Sequence, residues 1–156
     1  MRARGTLLAL ALLAGAADAK EPPKPPTEAE VADALTVCAF AAAQGDKAGK
    51  AIRKAGFHPD DAAGSDGEIG YSAGLLRMAI WEEPGSCHLE VPTVPTSRMN
   101  AMLAARTKEP VGREEGEEIS CPLYHLSNSI DAAVLGLPVD GTCDSADGSF
   151  VRFYPR

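Results

Sequence analysis

Residues 76–91 read LRMAIWEEPGSCHLEV. Leu76, Met78 and Ile80 alternate with Arg77, Ala79 and Trp81; beyond Glu82-Glu83-Pro84-Gly85, Cys87, Leu89 and Val91 alternate with Ser86, His88 and Glu90. Successive side chains of a strand point to opposite faces, so this pattern is two strands, each with one apolar face, joined by a Pro-Gly turn. An antiparallel hairpin follows. Cys87 points inward and His88 outward, which rules out a thiol–imidazole pair between these chain neighbours.

Upstream, Thr27-Glu28-Ala29-Glu30 is a capping box, in which the Thr hydroxyl and the Glu carboxylate satisfy free backbone N–H groups at a helix start. Val31, Leu35, Cys38 and Ala42 recur on one helical face and Gly45 supplies the stop. Cys38 therefore lies on the buried side of the first helix. A second, short helix is expected from Asp46 through Ala55, ended by Gly56, with Ala48, Ile52 and Ala55 inward and Lys47, Lys50, Arg53 and Lys54 in solvent. Phe57-His58-Pro59 then enters an acidic, glycine-bearing loop, Asp60–Glu68.

Downstream, Pro92 and Pro95 break the strand, and a helix is expected from Thr96 to Lys108 with Met99, Met102, Leu103 and Arg106 on one side. Pro110–Glu118 reads as a charged loop. Ile119, Cys121 and Leu123 alternate as a strand, with Pro122 marking an edge or an end. Ser129–Leu135 fits a helical turn or a strand equally well. Ser145-Ala146-Asp147-Gly148 reads as the turn of a terminal hairpin between Thr142-Cys143-Asp144 and Ser149–Tyr154. The resulting class is α+β: a small antiparallel sheet of about four or five strands with two or three helices packed on one face.

Residues 1–19 have the parts of a secretory signal: Arg2 and Arg4, the apolar run Leu7–Ala14, and Ala17-Asp18-Ala19 as a small-x-small cleavage site. Residues 20–26, KEPPKPP, form an extended Pro-rich leader acting as a spacer, and 27–156 a single globular domain. The apolar run is too short to span a bilayer. The chain is therefore expected in the periplasm or outside the cell, without stable membrane insertion. Its net charge of −7 makes nucleic acid a poor partner.

With 5% aromatic residues the core is thin and Ala-rich, so covalent support matters. Cys38, Cys87, Cys121 and Cys143 all lie in the exported part and show no C-x-x-C ligand spacing, which favours two disulfides over a metal site. The pairing Cys38–Cys87 and Cys121–Cys143 is preferred, because it ties the first helix to the hairpin and closes the C-terminal segment.

No catalytic residue, metal site or cofactor is indicated. G-x-S-x-G, G-x-G-x-x-G, the phosphate-binding P-loop and H-E-x-x-H are all missing. The acidic stretches 60–68 and 140–147 lack calcium-loop spacing, and the run Glu114-Glu115 with Glu117-Glu118 is read as a solubilising loop. His58, His88 and His125 lie far apart in sequence and are each read as a lone histidine. The expected function is a non-enzymatic binding or interaction domain, with a periplasmic protein partner meeting an aromatic patch around Tyr71, Trp81 and His88. The alternatives are a small-ligand or metal-binding module on the concave side of the sheet and, behind it, a hydrolase of unrecognised type. N-terminal sequencing of the exported protein is expected to begin at Lys20, with an intact mass four hydrogens below that of the reduced chain; an intact Met1 or four free thiols would refute this reading.

Overall fold

The computed structural model describes residues 22–60, 68–81, 85–107, 110–115, 120–126, 129–139 and 142–156. The signal segment, residues 61–67 of the acidic loop, Glu82–Pro84 of the hairpin turn, Glu117 and Glu118, and Asp140 lie outside the described residues.

The first helix, α1 (Glu28–Gln44), starts at the capping box: Glu30 N–H donates to Thr27 Oγ1, and Thr27 N–H donates to Glu30 Oε2 at 2.7 Å. The bond from Thr27 N–H, with a second from the Thr27 hydroxyl at 2.8 Å, holds the Glu30 carboxyl below its usual range. Gly45 ends the helix at φ 57°, a conformation that favours glycine. Val31, Ala34, Leu35, Cys38, Ala41 and Ala42 are buried. A 3₁₀ turn, Gly45–Ala48, takes up the start expected of the second helix, so α2 covers only Gly49–Lys54. Ala48 and Ile52 face the core, and Ala55, expected inward, is exposed.

The strands are β1 (His58–Pro59), β2 (Glu68–Ala73), β3 (Leu76–Trp81), β4 (Ser86–Pro92), β5 (Pro110–Glu115), β6 (Ser120–His125), β7 (Ile130–Gly136) and β8 (Gly148–Pro155). Between β4 and β5 stands α3 (Thr96–Ala104). All pairings are antiparallel, in the order β1-β2-β3-β4-β8-β7-β6-β5. The fold remains α+β, but the sheet has seven full strands and the two-residue β1, not the four or five expected.

The structure departs from the expectation in several places. Strand β2 sits where an acidic loop was expected to run into the hairpin, and its only large apolar residues are Ile69 and Tyr71. Strand β5 replaces the charged loop, its sequence PVGREE being poor in strand formers. Pro122 is not at an edge, because β6 lies between β5 and β7. The undecided 129–135 stretch is β7, every residue of which from Ile130 to Gly136 is buried; a strand covered on both faces has no polar alternation to reveal it.

The terminal hairpin does not form. Strand β8 pairs with β4 and β7 and lies inside the sheet. The segment before it bonds elsewhere: Thr96 N–H donates to Ser145 O at 3.0 Å, Thr93 N–H to Asp147 O at 2.9 Å, and Gly136 N–H to Thr142 O at 2.8 Å. At Gly136 a Cβ would fall 2.9 Å from both Ser145 Cβ and Thr142 Oγ1, so glycine is what admits this close approach.

Helices α1 and α3 cover one face of the sheet. Met78, Leu89, Val151 and Val134, neighbours in one row across β3, β4, β8 and β7, are buried beneath them with Phe153. Helix α3 stops at Ala104, short of the expected Lys108, where Arg106 Nη1 donates to Met102 O and Thr107 Oγ1 to Leu103 O, serving carbonyls that another turn would have used. On the opposite face a smaller cluster, Cys121, Ala133, Leu135 and Phe150, packs with Leu123, Leu137 and Cys143. Among the described residues no helix is long and apolar enough to cross a membrane.

Two disulfides staple these layers. Cys38 is joined to Cys87, fixing α1 to β4 across 49 residues, and Cys121 to Cys143, fixing β6 to the segment before β8 across 22. Cross-links of this kind stabilise mainly by restricting the unfolded chain. Replacing Cys38 and Cys87 together by Ala is expected to lower the unfolding free energy by about 2–4 kcal/mol, measured as a fall in the urea midpoint; an unchanged midpoint would mean that packing alone seats α1.

Candidate functional site

The rotation of α1 decides what lies beside it. With Val31, Leu35, Cys38 and Ala42 turned to the sheet, the neighbouring stripe is Thr36, Ala39 and Ala43. Small side chains on that stripe leave a space between α1 and the end of α3, roofless toward solvent and floored by Ile130 of β7 and Phe153 of β8. The groove has a volume of about 670 Å³, within the ~300–1,000 Å³ span of small-molecule sites. Phe40 stands at its rim and is 46% exposed, uncommon for a large apolar side chain in so small a core.

Among the described residues lining the groove Arg106 is the one ionisable side chain, and the other polar ones are Thr36 and Gln44. Its guanidinium bridges the two helices: Nη1 donates to Met102 O at 2.9 Å and Nη2 to Ala32 O at 3.2 Å. Both acceptors are neutral carbonyls, and among the described residues no carboxylate pairs with it. Guanidinium carries five N–H donors, and these bonds use two of them.

A second cleft, of about 480 Å³, lies between the start of α1 and the β2–β3 turn, lined by Glu30, Asp33, Phe57, His58 and Ser72. Lys24 and Pro26 line it too, so the leader, expected to be a plain spacer, runs along this part of the domain. The mixture of charges favours no one ligand chemistry.

The residues singled out from the sequence do not all meet. Trp81 and His88 stand together on the helix-free face, ring centroids 4.3 Å apart, and Phe150 closes on His88 from the other side at 5.0 Å. Tyr71 is on the other face: its partner across the pair is Met78, it is 7% exposed, and its hydroxyl lies against Gly49. The structure does not bring Tyr71 together with Trp81 and His88. His58 is exposed on β1. His125, expected to stand alone, has its Nδ1 2.5 Å from Oδ1 of the buried Asp131 directly opposite it, and Arg156 Nε reaches the same oxygen at 3.2 Å. Among the described residues no three His, Cys, Asp or Glu side chains gather as a metal would require.

The groove was not foreseen, since it depends on α1, α3 and β8, elements far apart in sequence. A local trace of it exists: Phe40 falls off the buried stripe of α1, between the small residues Ala39 and Ala41–Ala43. No protein-family model, curated protein or solved structure matches the chain.

His88 carries a measurable electrostatic signature. Burial between two aromatic rings disfavours its charged form, and Arg152, directly opposite on β8, adds to this, so its pKa falls to about 4. In the unfolded chain the imidazole takes up a proton near pH 6.5. Between those two values the unfolded state alone binds the proton, so stability is complete above about pH 6.5 and declines as pH falls toward 4. Urea midpoints at pH 7 and pH 5 are expected to drop in the native protein and to drop less in His88→Gln; equal drops would show that His88 is not the group responsible.

Proposed function

We propose that this chain is an exported, non-enzymatic binding domain that takes a small ligand with an apolar body into the groove between α1 and the end of α3. The groove itself is the observation that carries the reading: a trough of ligand size lined mostly by apolar side chains, its rim aromatic held half in solvent, in a domain with few aromatic residues to spare. Two disulfides support an oxidising compartment, and with the signal-like N-terminus they favour the periplasm or the exterior of the cell. Dispersal of the three histidines to β1, the helix-free face and the β6–β7 end favours binding over hydrolysis.

The reading replaces an aromatic docking patch with a groove because Tyr71 is core. It also keeps the ligand on the side of the sheet that the helices shape, where concavity comes from packing. Nile red, an uncharged apolar dye, is expected to gain fluorescence with the native protein and to lose most of that gain when Ala39 and Ala43 are both changed to Leu. Leucine suits a helix almost as well as alanine, so the change fills the trough without unwinding α1. Dye binding unaffected by this filling would refute the groove as the site.

A further inference from the structure

The groove has a chemical direction along its length. At one end Arg106 stands beside Thr36 and is anchored to Ala32 O; toward the other, α1 presents Ala39, Phe40 and Ala43, with Phe153 beneath. Resting on the reading of the groove as a ligand site, we infer that its occupant is a single-chain amphipath with an anionic head, of the fatty-carboxylate type. The head meets the Arg106 guanidinium and the tail lies under Phe40.

Three observations select that class. The first is charge: the chain as a whole is net −7, yet among the described residues lining the groove there is one cation and no carboxylate. An anion finds in Arg106 an electrostatic partner. The second is readiness. The guanidinium is already held by two carbonyls from two different helices, so little side-chain freedom remains to be lost when it pairs, and its remaining N–H donors suit the planar fork of a carboxylate.

The third is the kind of side chain along the walls: among the described lining residues all but Arg106, Thr36 and Gln44 are apolar. A peptide laid in this trough would bring amide N–H and C=O groups against Ala39, Phe40, Ala43 and Phe153, whose side chains offer them no partner, and unmet amides are costly. The Thr36 hydroxyl is moreover already donating to Ala32 O at 2.9 Å. A hydrocarbon tail needs no such partners. It gains instead by covering Phe40 and the alanine stripe.

Three probes with the same tail and different heads test the inference: dodecanoate, dodecanol and dodecyltrimethylammonium, each displacing Nile red below its micelle concentration at pH 8. Dodecanoate is expected to displace the dye at a concentration about tenfold or more below that of dodecanol, the ratio of one charge-assisted hydrogen-bonded contact, with the ammonium probe weakest. Arg106→Gln is expected to abolish the preference for dodecanoate over dodecanol, and Arg106→Lys, which retains the charge, to keep part of it. The lysine variant also serves should the glutamine variant fail to fold.

Equal displacement by all three probes, unaltered by Arg106→Gln, would overturn the anionic head and leave the groove reading standing. Dye binding that none of the probes competes would overturn the amphipath altogether. Absence of dye binding would bring down the groove reading itself. Sedimentation without ligand closes the remaining route: a dimer dissolved by Phe40→Ser and indifferent to dodecanoate would assign the groove to a second copy and refute the inference.

Discussion

The bond between Cys38 and Cys87 fixes the rotation of α1 over β4, and the arrangement of the helix-covered face follows from it. Cys38 sits near the middle of a 17-residue helix, so its tether sets which stripe meets the sheet along the whole length. Residues at i±3, i±4 and i±7 are carried with it: Val31, Leu35 and Ala42 go down. The alanine-rich stripe is then forced to the α3 side, where nothing large fills the gap. A groove at that place is the geometric remainder of a pinned helix with small residues on its flank.

The two faces of the sheet are stabilised in different ways. The covered face is a conventional core under α1 and α3, extended to β6 by the Tyr124 hydroxyl, which donates to Asn100 Oδ1 at 2.8 Å. The helix-free face relies on a short apolar cluster tied by Cys121–Cys143, on the aromatic sandwich of Trp81, His88 and Phe150, and on the buried Asp131 held by His125 and Arg156. His88 there shares a row with Arg152 of β8, which adds to burial in lowering its pKa.

What could be read from the sequence was local. The capping box, the Gly45 stop and the alternation in β3 and β4 are each decided within a few residues, and the structure contains all of them. What escaped was decided at a distance. Strand β7 is buried on both faces because it lies inside the sheet and two clusters cover it, a condition invisible in its own seven residues. The turn-like Ser145–Gly148 misled because Ser145 is engaged by Thr96, 49 positions away. For the site, alternation was enough to separate Cys87 from His88, but Tyr71 could not be assigned a face while β2 went unrecognised. Arg106 was expected on the apolar side of a helix running to Lys108; it lies beyond the end of α3, and nothing local shows that Ala32 and Phe40 of α1 come alongside.

The sheet order has a consequence for assembly. Strands β1 to β4 form one antiparallel run and β5 to β8 another, each pairing neighbours in the chain, and the β4–β8 pairing joins them. The seam of the molecule is therefore the contact between its two runs. Contacts of such long sequence separation form slowly, because loop-closure entropy is spent before they exist. Until the seam closes, β4 and β8 each present an unsatisfied edge, and α1, tied to β4 through Cys87, does not yet lie over the floor that Phe153 supplies to the groove. Closing the seam thus completes the backbone ladder and the cavity in a single event, so any competence to hold a ligand arrives only with the finished sheet.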